Sequence, residues 1–161
     1  MGDAFEKRWA DKEQLCGYGE IASRMISCGE CVLPSSAAPC LSFDDAANAL
    51  PLLNLFVSLQ AYSNADRERL ASFRVIGSDG AGNPFCVDRN TGIIRLLDHE
   101  DWRRSPQFVN SGVAQLAECL LSYMGEQQPE PFRSFVSSVD PRALGTGSFW
   151  WCEASALDAE S

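Results

Sequence analysis

Residues 73 to 124 read FRVIGSDGAGNPFCVDRNTGIIRLLDHEDWRRSPQFVNSGVAQLAECLLSYM, and this stretch decides the fold. Three short apolar runs, FRVIGSD, PFCVD and IIRLLD, are separated by GAGN and RNTG. Gly, Asn and Asp accept positive φ in tight turns, so the pattern predicts an antiparallel meander over about 71–97. The charged segment HEDWRRSP follows. Val113, Leu116, Ala117, Leu120, Leu121 and Met124 then recur at three- and four-residue intervals, which predicts a helix over about 111–124 covering one side of the sheet.

Outward from this unit the signals weaken. Phe5, Trp9 and Leu15 sit about a turn apart among mixed charges, predicting an amphipathic helix over 3–16 closed by Gly17. CGECVLPSSAAPC, residues 28–40, reads as an irregular crossing with at most a short strand at Val32 and Leu33. LPLLNLFVSLQ, residues 50–60, matches both a buried strand and a helix starting near Pro51, with a strand plus a turn of helix favoured, and NADRER, residues 64–69, reads as a polar link. After a C-cap at Gly125 and a break at QQPEP, Phe132–Val139 predicts a short helix, and SFWWC, residues 148–152, a strand or docking segment. Residues 157–161 read as a disordered tail. The sum is one α+β domain over 1–161: a mainly antiparallel sheet backed by helices.

Composition narrows the function. The 161 residues carry 22 acids against 13 bases, a formal net charge of −9. Such a surface repels nucleic acid and anionic lipid and favours a basic partner, although the same charge also serves solubility. No apolar run approaches the roughly 20 residues that span a bilayer, and the charged N-terminus lacks the apolar core of a signal peptide. The expectation is a cytoplasmic protein with reduced thiols. The 7 cysteines, an odd number, agree with that reading.

No motif announces catalysis. Cys28 and Cys31 have the spacing of half a zinc site or of a redox dithiol, but Cys16 and Cys40 flank the pair at irregular distances and the single histidine, His99, is remote. Incidental thiols are the favoured reading, with a zinc or redox protein as the alternative. His99 within LDHED lacks the second histidine of a metalloprotease helix. Gly77–Asn83 lacks the lysine and following helix of a phosphate loop and the alternating oxygen ligands of a calcium loop. Ser111 has no nucleophile elbow around it. The expectation is therefore no enzyme, no cofactor and no metal. On a strand, at most one of Trp150 and Trp151 would face the core. Trp102, surrounded by charge, reads as an interface anchor.

FRVIGSDGAGNPFCVD, TGIIRLLDHED, FVNSGVAQLAECLLSY and GSFWWCEA together resemble the SUKH superfamily of bacterial immunity proteins, in particular its fourth group. The resemblance runs over about 70–155 and is densest over 73–124, while the N-terminal 60 residues depart from it. Gly77, Asp79, Gly80, Asn83 and Gly92 fall on its turn positions; Asp98, Glu100 and Asp101 fall on its acidic loop. Asn110 and Ser111 fall on the helix entry, where Gly112 replaces a frequent second serine. The resemblance implies a curved sheet backed by helices, and a protein that binds and neutralises a cognate polymorphic toxin, often a nuclease or nucleic-acid deaminase. On that reading Asp79, Asp98, Glu100, Asp101 and Trp102 form the partner-binding surface for a toxin with a basic face.

Overall fold

The computed structural model describes residues 7–9, 11, 25–28, 31–34, 36–37, 41–43, 50–55, 62–123 and 129–160. Among them the strands are β1 (Met25–Cys28), β2 (Cys31–Pro34), β3 (Ser36–Ala37), β4 (Leu41–Phe43), β5 (Phe73–Ser78), β6 (Pro84–Asp88), β7 (Ile94–Leu96) and β8 (Gln107–Asn110). The helices are α1 (Asn64–Leu70), α2 (Val113–Tyr123), α3 (Pro129–Val139) and α4 (Phe149–Glu160), with 3-10 turns at Leu52–Leu55 and Pro141–Leu144. Strands β3 to β8 form one antiparallel sheet in chain order, and β1 and β2 pair separately as a hairpin that packs on α2.

The expected meander is the centre of the sheet, β5–β6–β7, with β4 and β3 added at one side and β8 at the other. Alternation along β6 sorts its residues: Phe85 and Val87 join the larger core beneath α2, α3 and α4, while Cys86 joins a smaller core on the opposite face. That second core, Leu52, Leu70, Phe73, Cys86, Leu97 and Trp102, is covered by α1 and the Leu52–Leu55 turn. Along β5 Phe73 and Val75 pack with the smaller core and Ile76 with the larger, and Ile76 is the extra residue that shifts the register between Val75, opposite Cys86, and Gly77, opposite Phe85. Gly77 is therefore no turn residue. It lies inside β5 under β4, where a Cβ would fall 2.2 Å from the Ser42 carbonyl oxygen and 2.7 Å from Phe43 Cδ1. Positive φ is found instead at Gly82 and Gly92, in the two hairpin turns.

Helix α2 buries Leu116, Ala117, Cys119, Leu120 and Leu121, as the spacing requires, and Met124 and Gly125 lie outside the described residues. Residues 7–9 and 11 are helical within the expected 3–16 span, the remainder of which lies outside the described residues. Trp9 enters the larger core, and the Arg8 guanidinium donates to both oxygens of Glu118 at 2.9 and 2.8 Å, fixing this segment to α2.

Several segments differ from the sequence reading. NADRER is helix α1, because Ser63 and Asp66 form a capping box: Ser63 Oγ accepts from Asp66 N at 3.1 Å, and the Asp66 carboxylate accepts from Ser63 N at 3.3 Å. Helix α3 starts at Pro129, within the expected break; its prolines, Pro129 and Pro131, occupy the first turn, where N–H groups have no intrahelical acceptor. SFWWC opens helix α4 rather than a strand, with Ser148 Oγ accepting from Trp151 N at 3.4 Å. Its inward residues follow helical spacing, Trp150, Ala154 and Leu157, and Trp151 is 38 % exposed. The helix continues to Glu160, so residues expected in a tail are helical. Cys28–Cys40 holds more strand than expected, β2 and β3, while Leu50–Gln60 opens with an isolated bridge, Pro51 to Arg74, and the 3-10 turn, its residues 56–60 lying outside the described residues.

Within the larger core, aromatic and polar contacts tie the sheet to the helices. Phe43, Phe85, Phe149, Trp150 and Tyr123 are successive neighbours with ring centroids 4.8–5.5 Å apart. At the buried end of β8, Asn110 Oδ1 accepts from Trp150 Nε1 at 2.8 Å, and Asn110 Nδ2 donates to Asp140 Oδ2 at 3.2 Å. The same carboxylate accepts from Ser111 N at 2.7 Å and Ser111 Oγ at 3.0 Å. Asp140 thus ties the last strand, the entry to α2 and the junction of α3 with the Pro141–Leu144 turn.

Candidate functional site

Two loops meet at one end of the sheet. In the β5–β6 connection Asp79 acts as an internal cap: Oδ1 accepts from Ala81 N at 3.0 Å and Asn83 N at 2.8 Å, and Oδ2 accepts from Asn83 Nδ2 at 2.9 Å. In the connection after β7, Asp98 does the same, its Oδ1 accepting from Glu100 N at 2.9 Å and Asp101 N at 3.2 Å, its Oδ2 from Arg104 Nη1 at 3.4 Å. The Glu100 N–H, seconded by that of Asp101 and by Arg104, outweighs partial desolvation and holds the Asp98 carboxyl below its ordinary range. Asp101 Oδ1 accepts from Arg103 N at 3.2 Å.

Asn83 clasps the loops together. Its Oδ1 accepts from His99 N at 3.1 Å and lies 2.9 Å from His99 Nδ1; because an amide oxygen only accepts, Nδ1 carries the proton. Asp79, Asp98, Glu100 and Asp101 are therefore brought into one connected structure, but they play different parts. Asp79 and Asp98 are half-buried and spend acceptor capacity on their own loops, whereas Asp101 is exposed and the Glu100 side chain is 83 % exposed. The exposed Arg103 and Arg104 lie in the same loop, so the surface carries both signs.

Trp102 does not belong to that surface. It is 8 % exposed and packs with Leu52, Leu70 and Phe73, while its carbonyl accepts from Arg69 Nη2. The residue anchors the charged loop on the second core. Of the neighbouring charges, Asp98 and Asp101 cap backbone N–H groups of the loop, and Glu100, Arg103 and Arg104 are exposed.

Sequence reasoning missed a cleft of about 550 Å³ beside the clasp. Its lining includes Asn83, Asp98 and Arg104 of the clasped loops, Gln107 and Phe108 of β8, Arg142 of the 3-10 turn, and Gly145–Ser148. The Arg142 guanidinium lies over the Phe108 ring, its Cζ 4.8 Å from the centroid, and Gln107 Nε2 donates to the Gly147 carbonyl at 3.0 Å. These pairs are separated by more than thirty positions in sequence and leave no local pattern to detect.

Among the described residues, no cluster of three or more His, Cys, Asp and Glu side chains could hold a metal ion. Cys28 is buried in the larger core, with Cys31 opposite it in the β1–β2 register; Cys16 and Cys40 lie outside the described residues. Burial pushes the Cys86 and Cys119 thiols up to about 12, leaving both protonated and inert at neutral pH. No helix of the described residues is long and apolar enough to cross a membrane.

Residues 30–157 match the SUKH-4 immunity protein family, a span that takes in β2 to β8, α1 to α3 and most of α4, and the chain belongs to that family. The match begins well before residue 60, so β2, β3 and β4 are part of the family pattern rather than a departure from it. No curated protein and no solved structure matches the chain.

Proposed function

We propose that this member of the SUKH-4 immunity family acts in the bacterial cytoplasm, where it binds a cognate polymorphic toxin and blocks it by occupancy rather than by turnover. The docking surface is the clasped pair of loops, with Glu100 and Asp101 presented to the partner and Asp79 and Asp98 holding the loops in shape. The observation that carries this reading is the Asn83–His99 clasp, which fixes two carboxylate-bearing loops to each other before any partner arrives. Preorganisation of this kind lowers the ordering cost of association.

A net charge of −9 supports a partner with a basic surface, such as the substrate cleft of a nuclease or nucleic-acid deaminase. Long-range attraction would then raise the association rate, and a contact area of roughly 1,600 Å² would suit a stable complex. The test is co-expression with the toxin domain encoded beside this gene. Survival and a stable co-purifying complex are expected. Glu100→Lys with Asp101→Lys should slow association about tenfold or more at low ionic strength, an effect that salt erases. Full killing in cells that accumulate the folded chain would refute the reading.

A further inference from the structure

The cleft beside the clasp has a chemistry opposite to that of the chain as a whole. In a protein with 22 acids and 13 bases, its rim carries two guanidinium groups, Arg104 and Arg142. Arg142 is exposed, and its Cζ stacks 4.8 Å from the centre of the Phe108 ring. No carboxylate of the described residues forms an ion pair with it within 4.0 Å. Stacking on a ring fixes the guanidinium plane while leaving its five N–H donors at the edge. Arg104 donates a single, long bond of 3.4 Å to Asp98, and its side chain is 73 % exposed. Gln107, whose amide is held by the Gly147 carbonyl, steadies the wall of β8 that bears Phe108.

We propose that this cleft receives a protruding, carboxylate-bearing loop of the partner protein, with Arg142 as the bidentate donor and Arg104 as the second cation. The proposal rests on the toxin-binding reading and deepens it: the docking surface is bipolar. Glu100 and Asp101 meet basic groups of the partner, and the adjoining cleft takes an acidic side chain. Charge complementarity selects this occupant, since a basic or neutral segment would leave the Arg142 guanidinium unanswered on desolvation and Arg104 with only its long bond to Asp98. Juxtaposed patches of opposite sign also fix the rotational register of the complex, which a uniformly acidic face would not.

Two measurements test the cleft. In the first, the purified full chain is titrated with the blocked peptide acetyl-Asp-Glu-Asp-Glu-amide and with its all-lysine counterpart, followed by NMR of the Arg142 and Arg104 side-chain N–H and the Gln107 amide. The acidic peptide should shift these signals and the lysine peptide should not, and Arg142→Gln should remove the response. Absence of any shift up to millimolar peptide would overturn the proposal. In the second, the complex with the adjacent-gene toxin domain is followed to its dissociation rate. Arg142→Gln should speed dissociation about tenfold or more, with Arg142→Lys intermediate because it keeps charge but loses the planar fork. A rate within about twofold of the parent for both Arg142→Gln and Arg104→Gln, with complexes still formed, contradicts the proposal and leaves the toxin-binding reading standing. If the parent chain forms no complex, that reading fails, and the peptide titration still judges the cleft by itself.

Discussion

Replacing Asp140 with alanine should be among the most damaging single changes in this chain, and the cost can be worked from its contacts. Asp140 is 4 % exposed and Asn110 fully buried. Removing the carboxylate strands the Ser111 backbone N–H, and leaves the Asn110 amide with only the Cys119 sulfur at 3.5 Å, a weak acceptor. The Ser111 hydroxyl is half-buried and can turn towards water. One buried donor and one part-buried donor, at about 1–3 kcal/mol each when fully buried, bound the cost at roughly 2–6 kcal/mol. Against a typical total of about 5–15 kcal/mol, that is a large share, and it corresponds to a melting temperature lower by roughly 5–20 °C. Asp140→Asn keeps an oxygen for the Ser111 N–H and the Asn110 amide, and forfeits mainly the charge assistance, about 1 kcal/mol. Urea unfolding followed by circular dichroism and by tryptophan fluorescence, Trp150 being a member of the network, gives both numbers. A loss below about 0.5 kcal/mol for Asp140→Ala, or equal losses for the two variants, would refute the hydrogen-bond reasoning.

Gly77→Ala should cost about 1–3 kcal/mol or more by overpacking against β4; Gly82→Ala, in open space at φ +88°, should cost only the left-handed backbone strain of about 1 kcal/mol. Equal losses in urea would show that Gly77 is not set by close approach. Of the described thiols free in the structure, exposed Cys152 should be labelled by a thiol reagent in the native state, whereas Cys86 and Cys119 should react only on unfolding; early loss of the Cys86 thiol, followed by mass spectrometry, would contradict the burial assigned to it. Asp98 has a folded-state pKa depressed first by the Glu100 N–H, so its contribution is present above the unfolded carboxylate pKa of about 4 and lost as pH falls through the lower folded value. Thermal stability should therefore decline below about pH 4, and Asp98→Asn should shrink that decline; an unchanged acid limb in the variant would remove Asp98 from the account.

The meander and α2 were legible because each carries its own period and its own stops: alternation with Gly82 and Gly92 at positive φ, then apolar residues at helical spacing from Leu116 to Leu121. Helix α4 was not, since Phe149, Trp150 and Trp151 have the bulk of strand residues; tertiary burial of Trp150 and the Ser148 cap decide the outcome. Helix α1 was signalled by Ser63-x-x-Asp66, a capping box with aspartate in place of the commoner glutamate, and was passed over for its polarity. Among the candidate site residues, sequence located the acidic loop but could not separate Glu100, which points its charge at solvent, from Asp98, which spends its charge on backbone N–H groups. Trp102 was misplaced because charged neighbours in sequence say nothing of the apolar residues, Leu52 and Leu70, that reach it from elsewhere. The Arg142–Phe108 stack joins residues that only the folded sheet edge and 3-10 turn bring together.

The central claim is that this chain works by seating itself on another protein. The most direct measurement is the catalytic activity of the adjacent-gene toxin domain, assayed on its own substrate while the purified chain is added in steps. The account predicts a linear fall to background with its end point at one chain per toxin, displaced to excess by Glu100→Lys with Asp101→Lys. Undiminished toxin activity at a large molar excess of folded chain would contradict it.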